Sequence, residues 1–316
     1  MKASKALFTL TLMTGTVITV SSPSWFSAWM GLEMNLLSFI PLLMQTSPQS
    51  TESAIKYFFM QAIGSMIIMF LIMTPMLISS NTLLLCALAI KLGAAPFHFW
   101  LPHTIKGTSW LNSATLLSWQ KIAPLSLMTF TKNSPAVLVL ITASAIVGAW
   151  GGINELRIKP LLAYSSINHM AWLCTLSMTS ITTTAFYLAI YTALIFTMFS
   201  TLHKTNHMSQ IWSNSRTSLP TMLSLTILSL GGLPPLTGFL PKWMALNQIM
   251  IFSKPMAMIL VLSSTFLLYY YLRLTWASLT QSKTTHLHAP ATTSKTWLPI
   301  IVSTASLPLI TAWILF

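Results

Sequence analysis

Apolar runs of about twenty residues, each long enough to cross a lipid bilayer, follow one another along almost the whole chain. They are expected at 7–22, 24–44, 55–79, 82–101, 110–130, 135–153, 160–179, 181–202, 220–250, 255–276 and 297–316, the first short for a span and the ninth too long. Ser22-Pro23, Ser134-Pro135 and Lys254-Pro255 punctuate three junctions, as proline turns do. The pattern predicts an all-α, polytopic transmembrane bundle of about eleven helices, a single transmembrane domain over 1–316.

Two runs carry helix breakers in nearly the same wording. Leu92-Gly93-Ala94-Ala95-Pro96 in the fourth is echoed by Leu230-Gly231-Gly232-Leu233-Pro234 in the ninth, and a Leu-Pro pair follows each, at 101–102 and 240–241. Proline removes an internal hydrogen bond and glycine weakens a helix, so Gly93 and Pro96, and Gly231 and Pro234, predict two discontinuous helices. Their freed backbone groups need water, side chains or neighbouring helices. Threaded in order, the fourth and ninth runs point in opposite directions. Interrupted helices at corresponding places in two inverted halves point to a transporter's conduction site.

The chain holds 16 basic and 3 acidic residues, a formal charge of +13, which on a soluble chain would suggest a nucleic-acid partner. The threading gives it another cause. Lys2, Lys5, Lys56, Lys106, Arg157, Lys159, Lys204, Arg216, Arg273, Lys283 and Lys295 fall on the N-terminal side of the membrane, and Lys132 and Lys254 on the other. That asymmetry follows the positive-inside rule, supports the threading and needs no nucleic acid. Cys86 and Cys174 lie in apolar runs without disulfide or metal spacing. No cleavable presequence or Arg-rich transit peptide is expected, because one apolar run begins by Leu7 and another follows at once.

Three basic residues remain inside the runs, Lys91, Lys121 and Lys242, together with one acid, Glu33. Glu33, Lys91 and Lys121 each fall near the middle of their runs. A charge at such depth costs at least ~2.5 kcal/mol. A Glu33–Lys91 ion pair that fixes helix packing is one account, but one acid cannot neutralise three lysines. The others must be neutral part of the time, hydrated in a cavity or paired with another chain. Desolvated lysines near other cations can release protons as well as take them up, so the set describes a proton relay.

Other polar groups leave alternatives open. Ser165, Asn168, His169 and Trp172 share one face of the seventh run, and Ser118 and Lys121 one face of the fifth, as a hydrogen-bonded seam or a water-lined path. His98 with His169 would be the ligands of a membrane cytochrome, although the two lie at different depths and no second pair exists. His203 with His207 and His286 with His288 have metal-like spacing without acidic or cysteine partners. Phe97, Phe99, Trp100 and Trp110 read as an interfacial aromatic belt. No phosphate loop, nucleotide fingerprint or serine-nucleophile elbow is present.

GLEMNLLSFIPLL (31–43), STESAIKYFFMQ (50–61), KLGAAPFHFWLP (91–102), SWQKIAPLSL (118–127), LLAYSSINHMAW (161–172), LGGLPPLTGFLPKW (230–243) and YYYLRLTW (269–276) resemble the antiporter-like, proton-pumping subunits of respiratory NADH:ubiquinone oxidoreductase, complex I. Within them they are most similar to the subunit 2 group of animal mitochondria, and wording such as AAPFHFW to invertebrate members. The resemblance implies two inverted five-helix repeats, approximately 1–130 and 135–276, with a C-terminal helix at 297–316, and the lack of three N-terminal helices found in bacterial relatives. It implies that Glu33, Lys91, Lys121 and Lys242 are the family's membrane glutamate and its broken-helix, central and distal lysines. It implies a mitochondrially encoded inner-membrane protein with its N-terminus in the matrix, among other membrane subunits of complex I and phospholipids. No cofactor is expected in this chain; NADH, FMN, iron-sulfur clusters and ubiquinone would belong to other subunits. A sodium/proton antiporter subunit shares the helical pattern. One departure is Lys159-Pro160, where relatives carry two adjacent basic residues; Arg157 stands two positions earlier.

Overall fold

The structure is a computed structural model, and it describes residues 2–44, 47–74, 81–131, 135–202, 218–281 and 303. Among these every regular element is helical: α1 (Lys2–Ser21), α2 (Trp25–Leu43), α3 (Pro48–Met73), α4 (Asn81–Leu92), α5 (Trp100–Gly107), α6 (Trp110–Leu117), α7 (Ile122–Met128), α8 (Ala136–Ile153), α9 (Ile158–Thr179), α10 (Ile181–Leu202), α11 (Ser218–Gly231), α12 (Phe239–Phe252) and α13 (Lys254–Gln281). Helices α2, α3, α8 and α10, and Lys254–Trp276 of α13, are long and apolar enough to cross a membrane. The expected run at 297–316, apart from Ser303, and His203, His207, His286 and His288 lie outside the described residues.

Local chemistry sets several starts. The Ser24 and Ser47 hydroxyls accept from the amides of Ser27 and Ser50, and Pro48 occupies the first turn of α3, where its missing N–H costs nothing. Ser109 caps α6 in the same way, accepting from the Asn112 amide at 3.4 Å.

Contacts divide the chain into two compact units, Met1–Ile181 and Thr182–Phe316. In the first, α3 packs against α2, α4 and α5, while α9 packs against α5, α7 and α8. Almost every residue of α9 from Ile158 to Ser177 is buried, so this helix is core on all sides. In the second unit, α11 and α12 both pack on α13.

The fourth and ninth runs are discontinuous, and each breaks through a left-handed glycine. Helix α4 ends at Leu92; Gly93 has φ 68°, the Gly93 amide donates to Ile90 O (3.2 Å) and the Ala94 amide to Ala89 O (3.0 Å). This is a Schellman ending. Helix α11 ends at Gly231, Gly232 has φ 82°, and its amide donates to Ser229 O (3.0 Å). The second break therefore turns on Gly232 rather than on Gly231, which stays helical: the left-handed residue is the one just past the helix end. The Ala95-Pro96 peptide is cis.

A side chain from the first turn after each break reaches back to a carbonyl before it. Trp100 Nε1 donates to Ile90 O at 3.1 Å, and Lys242 Nζ donates to Gly231 O at 2.8 Å. Trp100 is thus buried and structural instead of belonging to an aromatic belt; Phe99 beside it is 70% exposed. The fifth run breaks as well, where the sequence pattern predicted continuity. Between α6 and α7 lies a 3-10 turn, Trp119–Lys121, so Ser118 and Lys121 do not share a continuous helical face.

Two stability predictions follow from the breaks. Gly232→Ala places a Cβ in a left-handed conformation, 2.9 Å from Lys242 Cδ, and is expected to lower the stability of detergent-solubilised protein by about 1–2 kcal/mol. Gly231→Ala meets only an ordinary contact, Tyr271 Cδ2 at 3.4 Å, and should be neutral or stabilising; equal unfolding midpoints for the two variants would refute the assignment. Trp100→Phe removes the indole donor from Ile90 O, which keeps its bond from the Gly93 amide, an expected loss of about 0.5–1.5 kcal/mol, whereas Phe99→Leu should leave the midpoint nearly unchanged.

Candidate functional site

All three lysines inside the spans are buried, and each donates to a main-chain carbonyl. Lys91 lies one residue from the end of α4; its Nζ is 3.4 Å from Gln61 O on α3, and Gln61 Nε2 returns a bond to Lys91 O at 3.1 Å. The absence of a side chain at Gly64 makes room for this, since a Cβ there would stand 3.1 Å from Lys91 Cγ. Lys121, in the 3-10 turn, donates to Ser166 O of α9 at 3.2 Å. Lys242, in the second unit, holds the last carbonyl of α11, where the helix dipole also favours a cation.

Glu33 lies half-buried on α2 and makes no direct ion pair with Lys91. Its Oε2 atom is buried without a hydrogen-bond partner. The contact pair that the sequence suggested is not formed.

Lys91 and Lys121 both line one cavity of about 20 Å³, enough for a single water molecule. Its polar lining is Asn35, Tyr57, Gln61, Gln120 and the two lysines, set among apolar residues such as Leu32, Leu116 and Pro124. Asn35 Oδ1 and Gln120 Nε2 are buried with no protein partner, a polar environment that suits a bridging water. Glu33 is not part of the lining.

The remaining predicted positions divide by their bonds. The Ser118 and Ser165 hydroxyls donate within their own helices, to Ala114 O (2.6 Å) and Leu162 O (2.8 Å). Asn168 Nδ2 donates to Ala145 O (3.1 Å), and a Cβ at Gly148 would come 2.5 Å from Asn168 N, so this residue stitches α8 tightly to α9. His169 is buried in the core of α9. His98 sits inside the first break, its Nδ1 3.2 Å from Pro96 O and its ring against Phe99 at 4.3 Å.

The cavity also uses residues that the charge argument passed over: Asn35, Tyr57, Gln61 and Gln120. A signal for them was present. Each is polar in an apolar run, Gln61 follows Tyr57 by one helical turn, and Gln120 adjoins Lys121. What the sequence hid was that α2, α3, the end of α4 and the 3-10 turn bring their polar side chains to one point.

The chain matches the family model for the NADH:quinone oxidoreductase/Mrp antiporter transmembrane region over residues 22–83 and 72–267. It is 41% identical to NADH-ubiquinone oxidoreductase chain 2 of Metachirus nudicaudatus, an alignment covering 96% of each chain, and 42% identical to that of Hylobates lar, covering 85% of this chain and 83% of the relative. The same fold occurs in a chain of respiratory complex I from Thermus thermophilus, with a TM-score of 0.81 at 23% identity over 98% of this chain and 77% of that one. A chain of the Mrp complex from Dietzia sp. DQ12-45-1b gives 0.74 at 18% identity over 92% and 62%. The broken helices, the buried lysines and these relationships lead to one conclusion: the chain belongs to the NADH-ubiquinone oxidoreductase chain 2 family, within the NADH:quinone oxidoreductase/Mrp antiporter transmembrane proteins.

Proposed function

We propose that this chain is a proton-translocating membrane subunit of NADH-ubiquinone oxidoreductase, moving protons through Glu33, Lys91, Lys121 and Lys242 while NADH oxidation and quinone reduction occur in other subunits. The observation that carries this reading is the shared cavity, which puts Lys91 and Lys121 on one polar, water-sized space deep in the first unit. Each lysine donates to a main-chain carbonyl, an acceptor that serves an ammonium without committing it to that state. Glu33 acts as the electrostatic control: a change in its protonation alters the charge preferred at Lys91, which in turn biases Lys121 across the cavity. Lys242 serves the second unit at its own broken helix.

The same reading places the protein in the mitochondrial inner membrane among the other membrane subunits and phospholipids, with the N-terminus on the Lys/Arg-rich matrix side and two inverted repeats at approximately 1–130 and 135–276. Departure from the adjacent basic pair of relatives is offset here by Lys159 itself. Its Nζ donates to Thr108 O (2.7 Å) and lies 4.7 Å from the Trp110 ring centroid, tying the start of α9 to the α5–α6 corner.

Lys121→Arg separates a proton carrier from a fixed charge, because arginine keeps the charge and roughly the reach but has a pKa above ~12. The assembled variant complex in vesicles should oxidise NADH slowly or uncoupled, with fewer protons moved per NADH than wild type. An unchanged ratio at an unchanged rate would remove Lys121 from the relay.

A further inference from the structure

The cavity has a third titratable side chain besides the two lysines. Tyr57 lines it from α3, and the phenol is held in place on two sides: its ring meets Phe39 edge-on at 5.2 Å and Trp100 at 5.8 Å. Trp100 is itself fixed by its bond to Ile90 O across the break. The ring is therefore clamped between α2 and the restart of the broken helix, on the lining of the space that Lys91 and Lys121 share.

The other lining groups cannot finish a proton path alone. An ammonium has donors only, so two lysines facing one cavity cannot hydrogen-bond to each other while both are charged. The amides of Asn35, Gln61 and Gln120 donate and accept at different atoms, and their N–H protons do not leave in neutral water. A phenol accepts and donates at one oxygen. We propose that the Tyr57 hydroxyl, with one water molecule in the cavity, is the relay group that passes protons between Lys91 and Lys121. This inference rests on the proton-relay reading above and adds to it the group that joins the two lysines.

The step balances without an oxidant or reductant. The protonated lysine gives one N–H proton to the phenol oxygen, directly or through the water, as the phenol's own O–H proton passes to the neutral amine of the other lysine. One N–H and one O–H bond break and one of each forms. The first ammonium becomes an amine, the second amine becomes an ammonium, and phenol and water end unchanged. Rotation of the hydroxyl about its C–O bond resets the link.

The test is Tyr57→Phe in the assembled complex, reconstituted in vesicles beside Lys121→Arg and wild type. Read out are assembled complex, protons moved per NADH, coupled turnover and its solvent deuterium isotope effect. Because Phe keeps both edge contacts, assembly should persist, while coupled turnover falls about tenfold or more and its isotope effect changes. Wild-type pumping in Y57F with a defect in K121R would overturn the role of Tyr57 and leave the relay standing. Wild-type pumping in both would overturn the relay and this inference together. Reduced assembly with unchanged pumping per assembled complex would make Tyr57 a packing residue only, and so would overturn it. Should Y57F not accumulate, Y57H against Y57L makes the same comparison: pumping in the first but not the second supports the proposal, and any other pattern overturns it.

Discussion

A lysine withdrawn from water needs acceptors for its N–H groups, and in this fold the main chain supplies one to each of three buried lysines. Lys91, Lys121 and Lys242 donate to the carbonyls of Gln61, Ser166 and Gly231, on a chain with only three acids in its whole length. Gly231 O is freed by the end of α11, whereas Gln61 O and Ser166 O belong to the continuous helices α3 and α9 and accept the lysines through a carbonyl's second lone pair. Each of the three lysines stands at or beside an interruption: Lys91 at the end of α4, Lys121 in the 3-10 turn between α6 and α7, Lys242 just after the α11–α12 break. In the second unit the break itself supplies the acceptor; in the first, Lys91 and Lys121 at their interruptions reach carbonyls of neighbouring helices.

The two glycine breaks are bridged with different chemistry. In the first unit a neutral indole, Trp100, bridges back to the end of α4, which leaves the Lys91 ammonium free to turn toward α3 and the cavity. In the second unit the lysine is itself the bridge, and Gly232 gives its stem the space it occupies. Lys91 can therefore change its charge without undoing the cap of α4. A neutral Lys242 amine would still donate to Gly231 O, but as a weaker, uncharged bond. A change of charge at Lys242 would thus be coupled to the geometry of the break, whereas in the first unit the break is held by a group that does not titrate.

Much of this was legible in the residues. Apolar runs marked helices, five of them long and apolar enough to cross a membrane among the described residues, the Leu-Gly and Pro motifs located both discontinuous helices, and subtraction of the loop charges isolated Lys91, Lys121 and Lys242. The limits were equally physical. Helical periodicity assumes a continuous helix, so it put Ser118 and Lys121 on one face where a 3-10 turn intervenes. Motif spacing aligned Gly231 with Gly93, but backbone handedness depends on where the helix ends, and that selects Gly232. Opposite charges suggested a contact between Glu33 and Lys91, yet the closest partner of Lys91 is a carbonyl, which no composition argument singles out. Tyr57, Gln61 and Gln120 became visible as a set only once α2, α3, α4 and the α6–α7 corner were brought to one cavity.

The central claim is that Lys91 and Lys121 share a hydrated space through which a proton can pass. An experimental density map of the intact complex, at a resolution that shows ordered water, tests it most directly. The account predicts a water in the cavity within hydrogen-bonding distance of at least one of the two ammonium groups and of Asn35 Oδ1 or Gln120 Nε2. A dry cavity, with apolar side chains filling the space between Lys91 and Lys121, would contradict it.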